Sequence, residues 1–347
     1  MLQFLAMLAP RTTAALLTAL ALALATAYRL GDEWNERLVQ RPIDGGWLAA
    51  QADFDISGGG SGARASQRIT NLGGLHVADY TFTNFNQDRI RFTYKMPDEP
   101  YKKYNGTYGY YPEAIKQLQD WHQNARQAAY QNAVRAGQSQ DQLNAAVAEI
   151  DRQYPQKLRA YLESRGFTLE AGNVTRIDMP QVVKLNAPIM KPIALVLDRV
   201  ATEHRYQSMD TVGAGLSFVQ TALQYKQPDD VYQGKHTGAF IPPLTAVVLG
   251  WGNCDSKSAL LASILSNWAQ MRMIGIFMPG NPVGHYVIGV LQIPDQGDVF
   301  VDYHGLKYVI VEPAGPAWLP PGRIGDETMA KLNAPEGYKI DPFFQGG

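Results

Sequence analysis

The chain has 347 residues, 46% of them hydrophobic and 18% charged, a balance that indicates a folded globular protein somewhat low in charge. The length suits two domains, or one with large insertions. The formal net charge is −1 with no basic block, which gives nucleic-acid binding no electrostatic support.

Residues 1–28 read as a signal peptide or a membrane anchor. After Arg11 the run from Thr12 to Ala27 carries no charge, and Ala25-Thr26-Ala27 has the small-x-small form of a cleavage site. The expectation is export to the periplasm or cell envelope, with anchoring to the inner membrane through residues 12–28 if the segment is retained. Export bears on Cys254, the single cysteine. It has no intrachain partner, and an oxidising compartment selects against idle thiols.

Residues 29–67 are linker-like, with a Gly/Ser run at 58–62. Residues 68–112 form an N-terminal β region. There Ile90, Phe92 and Tyr94 alternate with Arg89, Arg91 and Thr93, after a strand at 75–82 and a turn at 84–88. Aromatics continue through Tyr101, Tyr104 and Tyr108. At 113–165 the period becomes helical, with one stripe at Ile115, Leu118 and His122 and another at Leu143, Val147, Ile150 and Tyr154. Ser139 and Gln142 have capping-box spacing between the two arms, and Pro155 bends or breaks the second. This helical hairpin packs on the main body or offers a surface to a protein partner; His122 on its stripe is a structural histidine. Further helices occupy 187–225. A Gly-, Asp- and Pro-rich loop at 227–243, carrying His236, is placed to frame a cleft.

Gly250-Trp251-Gly252-Asn253-Cys254 then leads into Leu260, Leu261, Ile264 and Leu265 at helical spacing, so Cys254 starts a helix. Unpaired amides there lower a thiol's pKa and can form an oxyanion hole. Strands follow at 271–278 and 284–290, then a hairpin from Val299 to Glu312 turning at His304-Gly305. The order predicts an α+β fold with an antiparallel sheet packed on the cysteine helix. Of six histidines, His285 starts an apolar strand after a glycine that permits close approach, which makes it the candidate base. Glu312 at the end of an apolar strand is a candidate orienting acid, with Asp302 as its competitor. No cluster has metal-ligand spacing, so no metal and no cofactor is expected.

These residues resemble the transglutaminase-like superfamily, specifically its exported bacterial cysteine-peptidase-like members. Gly252-Asn253-Cys254-Asp255-Ser256-Lys257 resembles its nucleophile turn, Gly284-His285 its histidine strand, and 308–313 its acid strand, in that order. The resemblance covers 187–325 as a papain-like catalytic core. It leaves the hairpin as an insertion and 326–347 as a C-terminal tail. It implies Cys254 as nucleophile, His285 as general base and acid, and Glu312 as orienting acid. Asn253 and Ser256 stand where related peptidases carry acidic residues that help bind calcium, which argues against a calcium site here. Asn253 is then a candidate oxyanion donor and Trp251 a candidate cleft wall. The implied function is a cysteine peptidase or amidase acting on a protein or peptide substrate in the envelope. A cross-linking acyltransferase and a non-catalytic binding or assembly module are the alternatives.

Overall fold

The computed structural model describes residues 65–171, 174–280 and 283–343 in full and 51–57 as backbone, all within one compact unit, Ala49–Gly347. The expected signal or anchor at 1–28 and the Gly/Ser run at 58–62 lie outside the described residues. Among the described residues no helix is long and apolar enough to cross a membrane.

Alternation of apolar and polar residues builds the first sheet. Strands β1 (Gln51–Ser57), β2 (Ala65–Leu72), β3 (Leu75–Thr83) and β4 (Arg89–Pro97) pair antiparallel in the order β1-β4-β3-β2. Tyr80, Phe82, Ile90, Phe92, Tyr94 and Met96 share one buried face, as their spacing predicts. Strand β1 and the start of β2 fall inside the stretch read as linker. Ala52, Phe54 and Ile56 do carry a period of two, but the adjoining glycine run masks it.

The aromatic run after β4 is a helix rather than more strand. Helix α1 (Asp98–Thr107) has Asp98 and Glu99 in its first turn, beside the positive end of the dipole, and buries Tyr101 and Tyr104 one turn apart. Helices α2 (Pro112–Ala136) and α3 (Gln140–Glu163) make the expected hairpin. Its turn holds the capping box: Gln142 N donates to Ser139 Oγ at 3.3 Å, and Ser139 N donates to Gln142 Oε1 at 3.0 Å. Helix α3 runs on through Pro155. At the base of the hairpin Ile115, Leu118, Tyr154 and Tyr161, with buried Leu162 of α3, pack against Tyr108 and Phe167 of the body. His122 stacks on Tyr154 and pairs with Asp151 at 2.7 Å.

Next come β5 (Phe167–Leu169), β6 (Thr175–Ile177), the long helix α4 (Met179–His204), and α5 (Ser208–Ser217), which passes into a π-helical turn at Phe218–Ala222. Short strands β7 (Gln224–Tyr225), β8 (Val231–Tyr232) and β9 (Lys235–His236) lead to α6 (Pro243–Leu249), β10 (Trp251–Gly252) and α7 (Cys254–Leu265). The second sheet comprises β11 (Met273–Met278), β12 (His285–Leu291), β13 (Phe300–Tyr303), β14 (Leu306–Val311) and, after helix α8 (Asp326–Leu332), β15 (Lys339–Pro342). All its pairings are antiparallel, in the order β13-β14-β12-β11-β15. The fold is thus α+β with α7 packed on β12, as read. The stretch 326–347 is more than a tail: it supplies α8 and an edge strand whose Lys-Ile-Asp-Pro sequence is too short and polar to show a period.

Helix α7 is apolar or small on nearly every side, and every residue in it except Asp255 is buried. Phe218 anchors the first sheet to this region. Its ring lies 5.1 Å from Tyr80, 5.6 Å from Phe82 and 5.1 Å from Phe92, centre to centre. Phe218→Ala should therefore lower the unfolding free energy by about 3–5 kcal/mol in urea titrations; a loss below about 1 kcal/mol would show that the ring is not an anchor.

Candidate active site

Helix α6 ends at Gly250, whose φ of +74° is a left-handed cap position that suits glycine. The chain then pairs in parallel with β7, setting Gly252 opposite Tyr225. Asn253 caps α7. Its Oδ1 accepts from Ser256 N at 3.0 Å and Ser256 Oγ at 2.7 Å, and its Nδ2 donates to Ala239 O at 2.9 Å. The same nitrogen also reaches Asp255 Oδ2 at 3.3 Å and Gln227 Oε1 at 3.5 Å, so Asn253 fixes the turn and holds the 227–243 segment, and both its amide hydrogens have acceptors other than an oxyanion. Trp251 does line a cleft, of about 580 Å³, with Lys226 Nζ 4.6 Å from its ring centre.

Cys254 is the first residue of α7, as its spacing predicts, but its thiol is not activated at rest. Burial and then the neighbouring Asp255 carboxylate push its pKa up to about 12, and the hydrogen bonds from the Tyr286 and Asp255 amides and from Tyr225 do not offset them. The thiol is protonated at neutral pH, contrary to the lowering expected from a helix N-terminus alone. For a cysteine that is only 3% exposed, desolvation of the thiolate outweighs the helix end. Asp255 lies 3.8 Å from Sγ and is itself pushed up to about 6 by burial, with His285 the first of the groups pulling it back.

Strand β12 delivers the histidine. A Cβ on Gly284 would come within 2.8 Å of the Phe277 ring, so glycine there lets the chain pass close to β11. The register sets Ile288 opposite Val311. Continued toward His285, it puts Glu312 on the same sheet face, one diagonal away. His285 Nε2 donates to Glu312 Oε1 at 2.8 Å. Glu312 also accepts from Thr328 Oγ1, and from Gly325 N at 2.9 Å. Burial alone would raise its pKa, but the bonds from His285, Thr328 and Gly325 hold it below the usual glutamate value. Asp302, the competing acid, is exposed and accepts from Gly305 N at 3.0 Å, closing the β13–β14 turn; it does not reach His285.

Several residues of this region carry no individual sequence signal. Lys257 is fully buried, and its ammonium donates to Leu223 O and Ala314 O, each at 2.9 Å. It joins the cysteine helix to the segment bearing Tyr225 and to the chain just beyond Glu312. Gln220 adds a second tie, donating to Glu312 O at 2.7 Å. Thr328 comes from the stretch read as a tail. The other histidines lie elsewhere: His76 pairs with Asp98, His204 with Asp88, and His304 is exposed in its turn.

The β8–β9 hairpin stands between two cavities. By strand alternation Tyr232 and Lys235 face the 580 Å³ cleft, while His236 faces a second cavity of about 400 Å³ that reaches Asp255 and Tyr286. The loop thus frames a cleft, as its position suggests. Among the described residues no group of three His, Cys, Asp or Glu is arranged to hold a metal ion. Compared with family models, curated proteins and solved structures, the chain matches none.

Two measurements follow. Because the folded-state pKa of Glu312 is depressed, its stabilisation is present above the unfolded value of about 4.3 and is lost as pH falls through the folded value. Glu312→Gln should then cost about 2 kcal/mol at pH 7, with the difference from wild type shrinking in acid; a pH-independent difference would contradict the charge assignment. Lys257→Met removes the donor of two buried carbonyls and should cost about 2–4 kcal/mol by denaturant unfolding; a neutral substitution would show that the tie is dispensable.

Proposed function

We propose that the chain is an exported cysteine hydrolase of amide bonds, with Cys254, His285 and Glu312 working on a papain-like, transglutaminase-like core. The observation that carries this reading is the 2.8 Å His285–Glu312 pair on neighbouring antiparallel strands, beside the capped helix start that bears the sequence's only cysteine. Tyr286, the residue after His285, directs its amide at the sulfur, and Ser258 Oγ on α7 donates to Tyr286 O at 3.0 Å. Helix and strand are therefore held together at the point of reaction.

The chemistry follows from the proton positions. Glu312 accepts from Nε2, so that nitrogen carries the proton and Nδ1 is left as the base. The Cys254 proton passes to His285 as sulfur attacks the amide carbonyl carbon, and His285 returns it to the leaving amine. Water then hydrolyses the thioester by the reverse route. Because the resting thiol is neutral, proton transfer accompanies attack rather than preceding it. A protein or peptide of the cell envelope is the proposed substrate.

One observation favours a different reading, a non-catalytic binding module: the thiol is buried, with Tyr225, Asp255 and the Tyr286 amide around it. An electrophilic peptide probe separates the two. The hydrolase reading expects labelling at Cys254, none in Cys254→Ala, and a rate lower by about 10²-fold or more in His285→Ala. Labelling no faster than a small-molecule thiol, and indifferent to His285, would support the binding module.

A further inference from the structure

The second cavity has an unbalanced charge. Arg176 on its wall is paired with two carboxylates: it donates to both oxygens of Asp341 at 2.7 and 2.8 Å and to Glu170 at 2.7 Å, while Lys339 holds the other Glu170 oxygen at 2.9 Å. These four charges cancel. What remains facing the cavity is Asp255, Asp230 and His236, with His236 Nδ1 3.2 Å from Asp230. Among the described residues no lysine or arginine pairs with Asp255. Its side-chain contacts are the Asn253 amide at 3.3 Å and the Cys254 thiol at 3.8 Å, long distances for a carboxylate with several acceptor sites. His285 is the one basic side chain whose charge pulls the Asp255 pKa back down. Asp255 is half-buried, and a carboxylate desolvated without a lysine or arginine beside it is costly; its pKa, raised to about 6, reflects that cost.

We propose that this 400 Å³ cavity is the subsite for a cationic side chain of the substrate, with Asp255 at its floor and Asp230 at its rim. The inference rests on the reading of Cys254 as the nucleophile. Tyr110, Phe277 and Tyr286 give the cavity aromatic walls, which suit the apolar stem of a lysine or arginine and its charged head alike. The contact of Asp255 with the thiol puts such a group immediately beside the scissile bond. A cation bound there would also offset the carboxylate that opposes ionisation of Cys254, so the preferred substrate would ease its own attack.

Matched fluorogenic peptide amides test this, with lysine, arginine, norleucine, citrulline or glutamate at each position flanking the cleaved bond. The full-length chain should prefer lysine and arginine over their neutral counterparts by about tenfold in kcat/KM, mainly through KM. Asp255→Asn and Asp230→Asn should each narrow that preference; Asp230 is exposed, so its variant tests the idea even if Asp255→Asn fails to fold. Equal rates for arginine and citrulline, or a preference for glutamate, would overturn the subsite and leave the hydrolase reading standing. Calorimetric titration of Cys254→Ala with the lysine and norleucine peptides covers the converse. Selective binding of the lysine peptide without turnover in wild type would keep the cavity and sink the hydrolase. Absence of both binding and turnover would overturn the two together.

Discussion

A helix buried on every side must satisfy its first amides and its polar side chains without water, and the architecture around Cys254 follows from that constraint. Asn253 takes the Ser256 amide, Ser258 reaches the β12 backbone, and Lys257 spends its ammonium on carbonyls from two other segments. Each bond satisfies a buried polar group and also fixes the cysteine against a neighbouring element. The strand carrying His285 and the loop carrying Tyr225 are positioned by the same bonds that stabilise the helix. Stability and site geometry are here one set of interactions.

Charge is distributed in a way that matches separate tasks. Glu312 is buried but saturated with donors, so it stays ionised and can hold an imidazolium. Asp255 is half-buried and desolvated with weak partners, so it sits near the balance between charged and neutral forms. The thiol between Asp255 and the β12 backbone is held neutral at rest. Two carboxylates within one site thus differ because their hydrogen bonds differ, which is how one environment supports both a fixed charge and a responsive one.

The parts legible in the sequence were those with strong periods. The alternation at 89–94, the two stripes of the hairpin and the Ser139–Gln142 box each correspond to what the backbone does. Cys254 as a helix start was readable from the Gly-Trp-Gly turn and the Leu260–Leu265 spacing around it, and His285 as a strand start from the glycine before an apolar run. What stayed hidden depended on distance in the chain. Thr328 reaches Glu312 from a segment without visible periodicity, and Lys257 in a helix reads as a surface residue until its carbonyl partners are seen. The sign of the thiol shift was also beyond the sequence, since a helix start favours the thiolate and only the depth of burial reverses it.

The central claim is that His285 and Glu312 act on Cys254 as a unit, and a double-mutant cycle tests it without a known substrate. The rate of Cys254 alkylation would be measured in wild type, His285→Ala, Glu312→Gln and the double variant, with folding verified for each. The account predicts that Glu312→Gln slows alkylation in wild type but adds nothing once His285 is gone. Independent, multiplicative losses, or a Glu312→Gln effect that persists in His285→Ala, would contradict it.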